Sequence, residues 1–407
     1  MRNLLKGHKV LDFSQIGAGP TCSMLLADFG ADVIKIEPPG GDIGRGLGPP
    51  WYGSQSPITI AFNRGKRSIC VDLRKEDGLA LVRGLAGNCD VIVESFRPGV
   101  MKRFGLSYDD LKVENPGLVY CAVSGYGQTG PYAQRAGVDG ILQAASGLMG
   151  LIGVDDQEPC KVQAPVVDVF TGYVGALGVV CRLLEREKNG KGGFVDISLL
   201  GCAIALQQSA ITAYIGDPVQ PAKLGSAAPY SAPNEAFRAK DGWIMVAAYM
   251  QPRWRKLCEV LGRRDLIDDE RFSTSSRRVV NRPALRKELN GEFAKRTCSE
   301  WLAALETNDI LCSKVADYAD VMDHAQVKYL HLVVEMEHKI MGRVSAPGNP
   351  INPIEMNSTG YGAPPLLGEE TRETLRELGI TDARIDRLLA SGALIVPSLQ
   401  HELQSQV

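Results

Sequence analysis

Residues 8–42 read HKVLDFSQIGAGPTCSMLLADFGADVIKIEPPGGD, and this stretch decides the fold. Its pattern predicts an apolar strand over 10–13, a tight turn over 17–20, a helix over 21–30 and a second strand over 32–36. A glycine turn between a strand and a helix lets backbone N–H groups approach an anionic group at the helix start. The stretch therefore predicts one βαβ unit of a nucleotide-binding fold.

The dinucleotide fingerprint within this unit is incomplete. Gly17 and Gly19 supply two of its glycines, and Glu37 follows about 20 residues later, where such folds often hold a ribose. Cys22, however, occupies the third glycine position, which normally permits close helix–strand packing. A nicotinamide dehydrogenase, another phosphate-binding protein and a plain strand-to-helix turn therefore stay open at this point.

Composition bounds the function classes. The 407 residues are 44% hydrophobic and carry a formal net charge of −2, which predicts two or three domains and gives no support for nucleic-acid binding. The ten cysteines form no CxxC pair and no metal-ligand spacing, so we expect reduced thiols, a cytoplasmic location and no metal site. We also expect no signal peptide and no membrane span, because no uncharged apolar run approaches about 20 residues.

Strands and helices alternate beyond the first unit, which predicts an α/β fold with a mostly parallel sheet. Further strands are predicted over 68–73, 90–93, 118–123 and 194–197, with helices over 75–86, 168–187 and 199–214. The predicted domains are a large domain over 1–215, a linker over 216–233, a small domain over 234–330 and a returning segment over 331–407. In the small domain we predict a strand over 244–248 and helices over 252–262, 282–296 and 298–307, and the tail 368–395 is expected to be helical.

Three arginines follow predicted strands. They are Arg74, Arg97 and Arg103, and Lys66, Arg67 and Lys75 lie nearby in sequence. Ligands bind at the carboxyl ends of parallel strands, and guanidinium groups suit phosphate oxygens. Each cation alone is consistent with a solvated surface charge, but together they indicate a phosphate-rich ligand.

Two aspartates are the candidate reactive groups. Asp168 stands before a long apolar helix, whose positive end should favour ionisation, and an ionised carboxylate can attack an activated acyl group. Asp139 follows a glycine-rich loop in RAGVDGILQAASG. Each could instead be an ordinary helix N-cap.

The five histidines do not suggest a nucleophile–histidine arrangement. Apart from His8 and His401 they are His324, His331 and His338, spaced by seven residues. That spacing places them on one face of a surface helix more readily than in a metal site.

Several motifs together resemble the class III CoA-transferases, the CaiB/BaiF family, over almost the whole chain. The motifs are VLDFSQIGAGP, LADFGADVIKIEPPGGD, NRGKRSICVDLRKEDG, VIVESFRPGVMKRFGL, SGYGQTGP, AGVDGILQAASGLMG, APVVDVFTG and PPLLGEETRETLRELGI. The resemblance implies a Rossmann-like large domain built from both chain ends, a smaller α+β domain and an interlocked dimer. It also implies acyl-CoA and a small carboxylic acid as substrates, with no permanently bound cofactor.

Site residues carry over from this resemblance by position. Asp168 matches the acyl-accepting nucleophile, and Asp139 matches an acid that assists catalysis in some relatives. The CoA-binding positions are Gln15, Ala18, Val71, Leu73, Arg74, Arg97 and Arg103, and the loop at the pantetheine arm and thioester comprises Ala136, Gly137 and Val138.

Two departures from the family pattern bear on the activity. The racemases of the family carry a histidine where this chain has Val138, which favours CoA transfer over racemisation. Formyl-CoA transferases carry four consecutive glycines where this chain has LGSAA over 224–228, which favours a larger acyl group such as a dicarboxylate. The expected activity is transfer of CoA between carboxylic acids, with succinyl-CoA as a candidate donor. The alternatives are a 2-methylacyl-CoA racemase and one subunit of a heteromeric transferase.

Overall fold

The fold was analysed in a computed structural model that describes residues 1–53, 55–358 and 360–396. These residues form two compact units. The large unit comprises 1–149, 161–218 and the chain from residue 325 onward, and the small unit comprises 150–160 and 219–324. The predicted boundaries placed 150–160 in the large domain, whereas the structure places it in the small unit, where Val154 forms a β-bridge with Leu224.

Strands of the described chain are short and mostly buried. They are β1 (Lys9–Asp12), β2 (Asp32–Glu37), β3 (Arg67–Val71), β4 (Val91–Glu94), β5 (Val119–Ser124), β6 (Gly193–Ser198), β7 (Asn234–Arg238), β8 (Trp243–Ala247), β9 (Leu311–Lys314), β10 (Val333–His338), β11 (Gly342–Pro347) and β12 (Leu394–Ile395).

Helices of the described chain are, in chain order, α1 (Ala18–Asp28), α2 (Pro57–Phe62), α3 (Glu76–Ala86), α4 (Val100–Arg103), α5 (Tyr108–Leu111), α6 (Asp139–Ala145), α7 (Val166–Asn189), α8 (Leu199–Ala205), α9 (Gln208–Gly216), α10 (Gln251–Val260), α11 (Asp265–Asp268), α12 (Ser275–Val280), α13 (Arg282–Phe293), α14 (Cys298–Thr307), α15 (Tyr318–Asp323), α16 (Ala325–Tyr329), α17 (Pro353–Asn357), α18 (Thr371–Glu377) and α19 (Asp382–Ala390).

A seven-stranded sheet forms the centre of the large unit, with the order β12-β3-β2-β1-β4-β5-β6. The six strands β1 to β6 are parallel, and β12 joins the edge antiparallel to β3. The order 3-2-1-4-5-6 is that of the doubly wound nucleotide-binding fold, in which ligands bind where the strand order reverses. That switch point lies here between β1 and β4 and confirms the predicted α/β class with its parallel sheet.

Two apolar cores cover the two faces of this sheet. One face is covered by α3 and the C-terminal helices α18 and α19, through side chains such as Leu81, Leu375 and Ile385. The other face is covered by α1, α7 and α8, through side chains such as Leu26 and Val179. The chain returning after residue 325 therefore completes the sheet layer that the N-terminal part begins.

Helix α7 is the longest described helix and lies at the centre of one face. It ends at Gly190, whose φ of +71° is the left-handed conformation that glycine adopts readily. By length and mean hydropathy, α7 is long and apolar enough to cross a membrane. The pair α8 and α9, bent by 72°, meets the same criteria only if the two helices are taken as one span. Its stretch without charged residues covers only 169–181, and the helix packs on α1, β5 and β6. Core helices of ordinary globular proteins share this composition.

The predicted single helix over 199–214 is wrong in one respect, because it breaks between α8 and α9. Gln207 leaves the helical conformation at the break. Its side-chain amide donates to the carbonyl oxygens of Ser146 and Ala203, at 3.2 and 2.9 Å. These contacts to other backbone groups hold the bend.

The small unit contains a three-stranded antiparallel sheet, β7-β8-β9, and the helices α10 to α15. Its core centres on Trp254, Phe237, Phe293 and Trp301, all nearly or fully buried. The sequence predicted β8 but missed β7 and β9, because their short segments NEAFR and LCSK lack a run of apolar residues.

The three late histidines do not share a helix face, so that prediction is wrong. His324 ends α15, His331 has a φ of +50° in a turn, and His338 is buried at the end of β10. Nδ1 of His338 accepts hydrogen bonds from Ile340 and Met341, which closes the turn of the β10–β11 hairpin. Among the described residues no group of three or more metal-ligating side chains is found.

Candidate functional site

The side chain of Asp168 projects from the first turn of α7. The helix begins at Val166, so Asp168 is its third residue and not its N-cap. Asp139 caps this helix instead: its Oδ2 accepts from the backbone N–H of Val167 at 2.8 Å and of Asp168 at 3.2 Å. Asp168 is half-buried, and in the described part of the chain its carboxyl group has no hydrogen-bond partner. The side chain is thus left available for chemistry.

The environment of Asp168 disfavours its ionised form, contrary to the expectation from the sequence. Burial, together with the nearby negative charge of Asp139, raises the pKa of Asp168 from 3.8 to about 7. The sequence predicted that the positive end of α7 would favour ionisation. That prediction is wrong because burial disfavours the charged form, and because Asp139 occupies the helix terminus and adds a like charge beside Asp168. A carboxyl group with a pKa near 7 is typical of catalytic groups.

Asp139 is held firmly in its capping position. Its Oδ1 accepts from Nε2 of Gln143 at 2.5 Å, one turn further along α6. Gln143 is fully buried and also exchanges two hydrogen bonds with the backbone of Val162, at 2.9 and 3.0 Å. Both oxygens of Asp139 are therefore engaged within the protein. These contacts hold the first turn of α7 in place. Asp139 is the first residue of α6 and not its N-cap, so the alternative that it caps its own helix is wrong: it caps α7 instead.

Small residues let α1 approach α7 closely enough to bring the glycine turn to Asp168. A Cβ atom added at Gly17 would lie 2.5 Å from Oδ2 of Asp168, and one added at Gly172 would lie 2.4 Å from Thr21. Gly17 has a φ of −121°, so space and not backbone conformation requires glycine there. The GAGP turn is therefore the wall of the Asp168 site.

Buried charges anchor the loop that leads from β1 to this turn. Ile16 has a φ of +67°, an uncommon conformation for a β-branched residue, and its N–H donates to Asp42 at 3.0 Å. Lys35 donates to the carbonyl of Ser14 at 2.7 Å and pairs with Asp42 at 2.9 Å. The N–H of Gln15 donates to Oγ of Ser95 at 2.9 Å, which ties the loop to β4. The strained loop is thus held from several sides.

Asp12 and Lys66 form an ion pair of 2.9 Å in which both side chains are fully buried. Burial alone would raise the pKa of Asp12, but Lys66 and Lys35 outweigh it and hold that pKa at about 2. Burial also lowers the pKa of Lys66 to about 8. Sequence reasoning placed Lys66 among cations near a phosphate-rich ligand, and the structure places it in the core. The charged Asp12 inside the apolar run VLDF was the signal for this missed pair.

A cavity of about 350 Å³ lies at the carboxyl ends of β1, β2 and β3. Four predicted CoA-binding residues line it: Gln15, Val71, Leu73 and Arg74. Sequence reasoning missed the remaining apolar lining, which includes Phe13, Pro38, Pro39, Phe96 and Phe104. The combination of apolar walls and one exposed guanidinium suits a planar ring with a phosphate at its edge.

The arginines are not brought together in that cavity. Arg97 lines a different cavity of about 640 Å³ with Glu94 and Lys102, and Arg103 lies exposed on α4. The guanidinium group of Arg74 donates two hydrogen bonds to the carboxylate of Asp72, at 2.8 and 2.9 Å, in a bidentate ion pair. Arg67 forms ion pairs with Asp32 and Glu377. Its charge therefore stabilises the fold and is not directed at a ligand site.

One further predicted role, that of Glu37, is changed by the structure. Glu37 lines the smaller cavity, but its oxygens accept from Arg45 at 2.7 Å and from Ser68 at 2.6 Å. Burial would raise the pKa of Glu37, yet Arg45 and Lys35 bring it down to about 2. Its carboxylate therefore serves the protein core, and a ribose is not its partner.

The predicted thioester loop reaches the neighbourhood of Asp168 through α6. Ala136 and Val138 are exposed, Gly137 is half-buried, and Val138 directly precedes Asp139. A Cβ added at Gly137 would lie 2.9 Å from the Cα of Gly125, so this loop packs against the loop over 125–130. Ala18 is buried at the start of α1, beside Gly17. The N-terminal ends of α1, α6 and α7 thus lie close together, and they bring Ala18, Asp139 and Asp168 to one place.

Comparisons with known proteins identify the family of this chain. Residues 5–371 match the sequence profile of CoA-transferase family III. The chain is 36% identical over 392 residues to the succinyl-CoA:glutarate CoA-transferase of Mus musculus, which covers 96% of this chain and 90% of that protein. It is also 36% identical over 384 residues to the succinate–glutarate CoA-transferase of Agrobacterium fabrum, which covers 92% and 95%.

A solved structure shares the fold. The crystal structure of a CAIB/BAIF family protein from Brucella suis superposes with a TM-score of 0.83 at 34% identity, covering 93% of this chain and 100% of that chain. The resemblance seen in the motifs is therefore confirmed across the chain. This protein belongs to CoA-transferase family III, the class III CoA-transferases of the CaiB/BaiF type.

Proposed function

We propose that this transferase moves CoA from succinyl-CoA, or a closely similar acyl-CoA, to a small carboxylic acid. The observation that carries the proposal is the carboxyl group of Asp168, which has no hydrogen-bond partner in the described chain and faces the GAGP turn. Two relatives, a succinyl-CoA:glutarate CoA-transferase and a succinate–glutarate CoA-transferase, support the choice of acids. Asp168 is the proposed nucleophile.

The proposed reaction proceeds by acyl exchange on Asp168. The Asp168 carboxylate attacks the donor thioester, the carbon–sulfur bond breaks, and a mixed anhydride and CoA thiolate form. The thiolate then attacks the aspartyl carbonyl and releases the donor acid as a carboxylate. This step leaves an aspartyl-CoA thioester.

The second half of the reaction mirrors the first. The acceptor carboxylate attacks the aspartyl-CoA thioester and releases the thiolate, forming a new mixed anhydride. The thiolate attacks the acceptor carbonyl, which yields the new acyl-CoA and frees the Asp168 carboxylate. One thioester and one carboxylate exist before and after the exchange, so the reaction needs no external source of free energy.

The environment of Asp168 suits both halves of this cycle. A carboxylate desolvated by burial is more reactive than a hydrated one, and a pKa of about 7 leaves about half of it ionised at neutral pH. Glycine at position 17 lets the turn approach Oδ2 closely without a side chain pressing on the carboxyl group. In the loop over 125–130, which packs against Gly137, the backbone N–H groups of Gly127 and Gln128 donate to Ser124 and Asp196 and are therefore not the oxyanion donors of this proposal.

We place the nucleotide end of CoA in the cavity lined by Gln15, Val71, Leu73 and Arg74. Its apolar walls fit the adenine ring, and the exposed Arg74 can turn from Asp72 to a phosphate. Arg97 and Arg103 remain exposed and available for the other phosphates.

The alternatives fit the site less well. A racemase needs an acid/base group on each face of the α-carbon, but Val138 cannot titrate and both oxygens of Asp139 hold hydrogen bonds. A non-catalytic subunit of a heteromeric transferase would have no need of an available Asp168.

We further propose a cytoplasmic, interlocked homodimer. Large apolar side chains lie exposed on α7 and α9, including Leu177 at 64%, Leu184 at 59% and Ile215 at 76% exposure. Leu177 and Leu184, seven residues apart on α7, share one face of that helix, and exposed apolar faces commonly mark a protein interface. Light scattering of the purified protein tests this proposal: a monomer at micromolar concentration would contradict it.

Trapping with hydroxylamine tests the proposed function. After incubation with succinyl-CoA, hydroxylamine should convert Asp168 to a hydroxamate that mass spectrometry locates in the peptide containing that residue. Asp168→Asn should abolish both the adduct and CoA transfer to glutarate. Asp217→Asn, which removes an exposed acid after α9, should keep both. Normal transfer by Asp168→Asn would refute the assignment.

A further inference from the structure

The backbone at Lys161 is fixed relative to the two site acids. The next residue, Val162, exchanges two hydrogen bonds with the side chain of Gln143, at 2.9 and 3.0 Å. Gln143 in turn donates to Asp139, whose other oxygen caps the turn that bears Asp168. Lys161 therefore belongs to the same hydrogen-bonded frame as the proposed nucleophile.

The side chain of Lys161 lies along the start of α6. Its Nζ and Cδ are 3.4 and 3.5 Å from the position that a Cβ at Gly140 would take. Since neighbouring Cα atoms are 3.8 Å apart, the ammonium lies within roughly 9 Å of the Cα of Asp139. The glycine at position 140 leaves the space that the lysine uses.

The ammonium of Lys161 is exposed and makes no ion pair within residues 1–53, 55–358 and 360–396. Asp139 does not neutralise it, because the oxygens of Asp139 accept from Gln143, Val167 and Asp168. An available cation thus stands beside the start of α6, whose first residue, Asp139, caps the helical turn that bears Asp168. An ammonium group is suited to bind a carboxylate, such as the second carboxylate of an acyl group carried by Asp168.

We propose that Lys161 binds the remote carboxylate of a dicarboxylic acid while the other carboxyl group exchanges at Asp168. This inference rests on the proposed function and adds the residue that distinguishes diacids from monoacids. Four- and five-carbon diacids hold their carboxyl groups two or three methylene groups apart, so the proposal requires the flexible Lys161 side chain to bring its ammonium to that distance from the acyl carbon on Asp168. Lys161 is a specificity residue in this proposal and takes no part in the covalent steps.

The test compares matched acceptors with the full-length protein. Glutarate and pentanoate have the same carbon count and differ in one carboxylate, so the ratio of their kcat/KM values measures recognition of that group. Lys161→Met should lower this ratio by about ten- to a hundredfold, as expected for the loss of one charge-assisted hydrogen bond. Lys161→Arg, which keeps the charge, should restore most of the ratio. Lys191→Met, an exposed lysine after α7, should leave it unchanged.

The outcomes separate this inference from the proposed function. An unchanged ratio in Lys161→Met, or an equal loss with both acceptors, would overturn the role of Lys161 while transfer by the wild-type protein stands. Loss of the ratio in Lys161→Arg as great as in Lys161→Met would also overturn it, because a carboxylate site needs only the cation. Absence of CoA transfer by the wild-type protein would instead refute the proposed function.

Discussion

Replacing Asp168 by asparagine should stabilise the protein more at alkaline than at acidic pH. The carboxyl group has a pKa of about 7 in the folded protein and an ordinary value of 3.8 when unfolded. Folding therefore favours the neutral form of Asp168. The resulting contribution to the free energy of unfolding is fully present below pH 3.8 and is lost as the pH rises through about 7. Asparagine has nearly the same shape and no charge, so it escapes this loss.

The magnitude follows from the two pKa values. A rise from 3.8 to about 7 corresponds to at most about 4 kcal/mol at alkaline pH. Because Asp168 is already ionised in the unfolded chain at pH 5, about 2.5 kcal/mol of this difference should develop between pH 5 and pH 8. The free energy of unfolding of Asp168→Asn, relative to wild type, should increase by that amount over this interval.

Urea denaturation followed by circular dichroism at pH 5 and pH 8 measures this change. Comparing the two pH values cancels any effect of the new amide group that does not depend on pH. Asp217→Asn, with its exposed side chain, should show almost no pH dependence. A relative stability of Asp168→Asn that stays constant, or decreases, between pH 5 and pH 8 would refute the reasoning about burial and like charge.

Three further changes test the site. In Asp139→Asn the negative charge beside Asp168 is removed, so the pH at which kcat/KM for CoA transfer is half-maximal should fall below 7; a pH profile identical to wild type would contradict this coupling. Gly17→Ala places a methyl group 2.5 Å from Oδ2 of Asp168, so the carboxyl group must move. We expect this shift to lower kcat about a hundredfold in steady-state assays, while a native circular dichroism spectrum shows that the variant still folds. Lys66→Met leaves the buried Asp12 without its partner and should lower the free energy of unfolding by about 3–5 kcal/mol, which the double variant with Asp12→Asn should partly restore.

Much of the large unit follows from local patterns. The strand, turn and helix over 8–42 appear within a few residues of their predicted bounds, because apolar runs and glycine or proline turns act over short distances. Strands β4, β5 and β6 were predicted in the same way. Polar strands such as β7 and the kink at Gln207 were missed, since contacts with other parts of the chain determine them.

The family motifs also identified Asp168 as the candidate nucleophile, but not its environment. Its raised pKa depends on burial and on the charge of Asp139, and its side chain is available because Asp139, 29 residues earlier, takes over the cap of α7. The position of Gly17 against its carboxyl group depends on how closely α1 packs on α7.

Local patterns and recognisable motifs were enough to predict the succession of strands and helices, the glycine turn and the candidate nucleophile, because these depend on neighbouring residues. Which charges are buried, which cap a helix and which remain available follows from how the chain packs in three dimensions. Lys66 and Arg74 look alike as cations in the sequence, yet one is fully buried beside Asp12 and the other lines an open cavity. Solvent exposure and the distance between charges set these differences, and both arise only when segments far apart in the chain pack together.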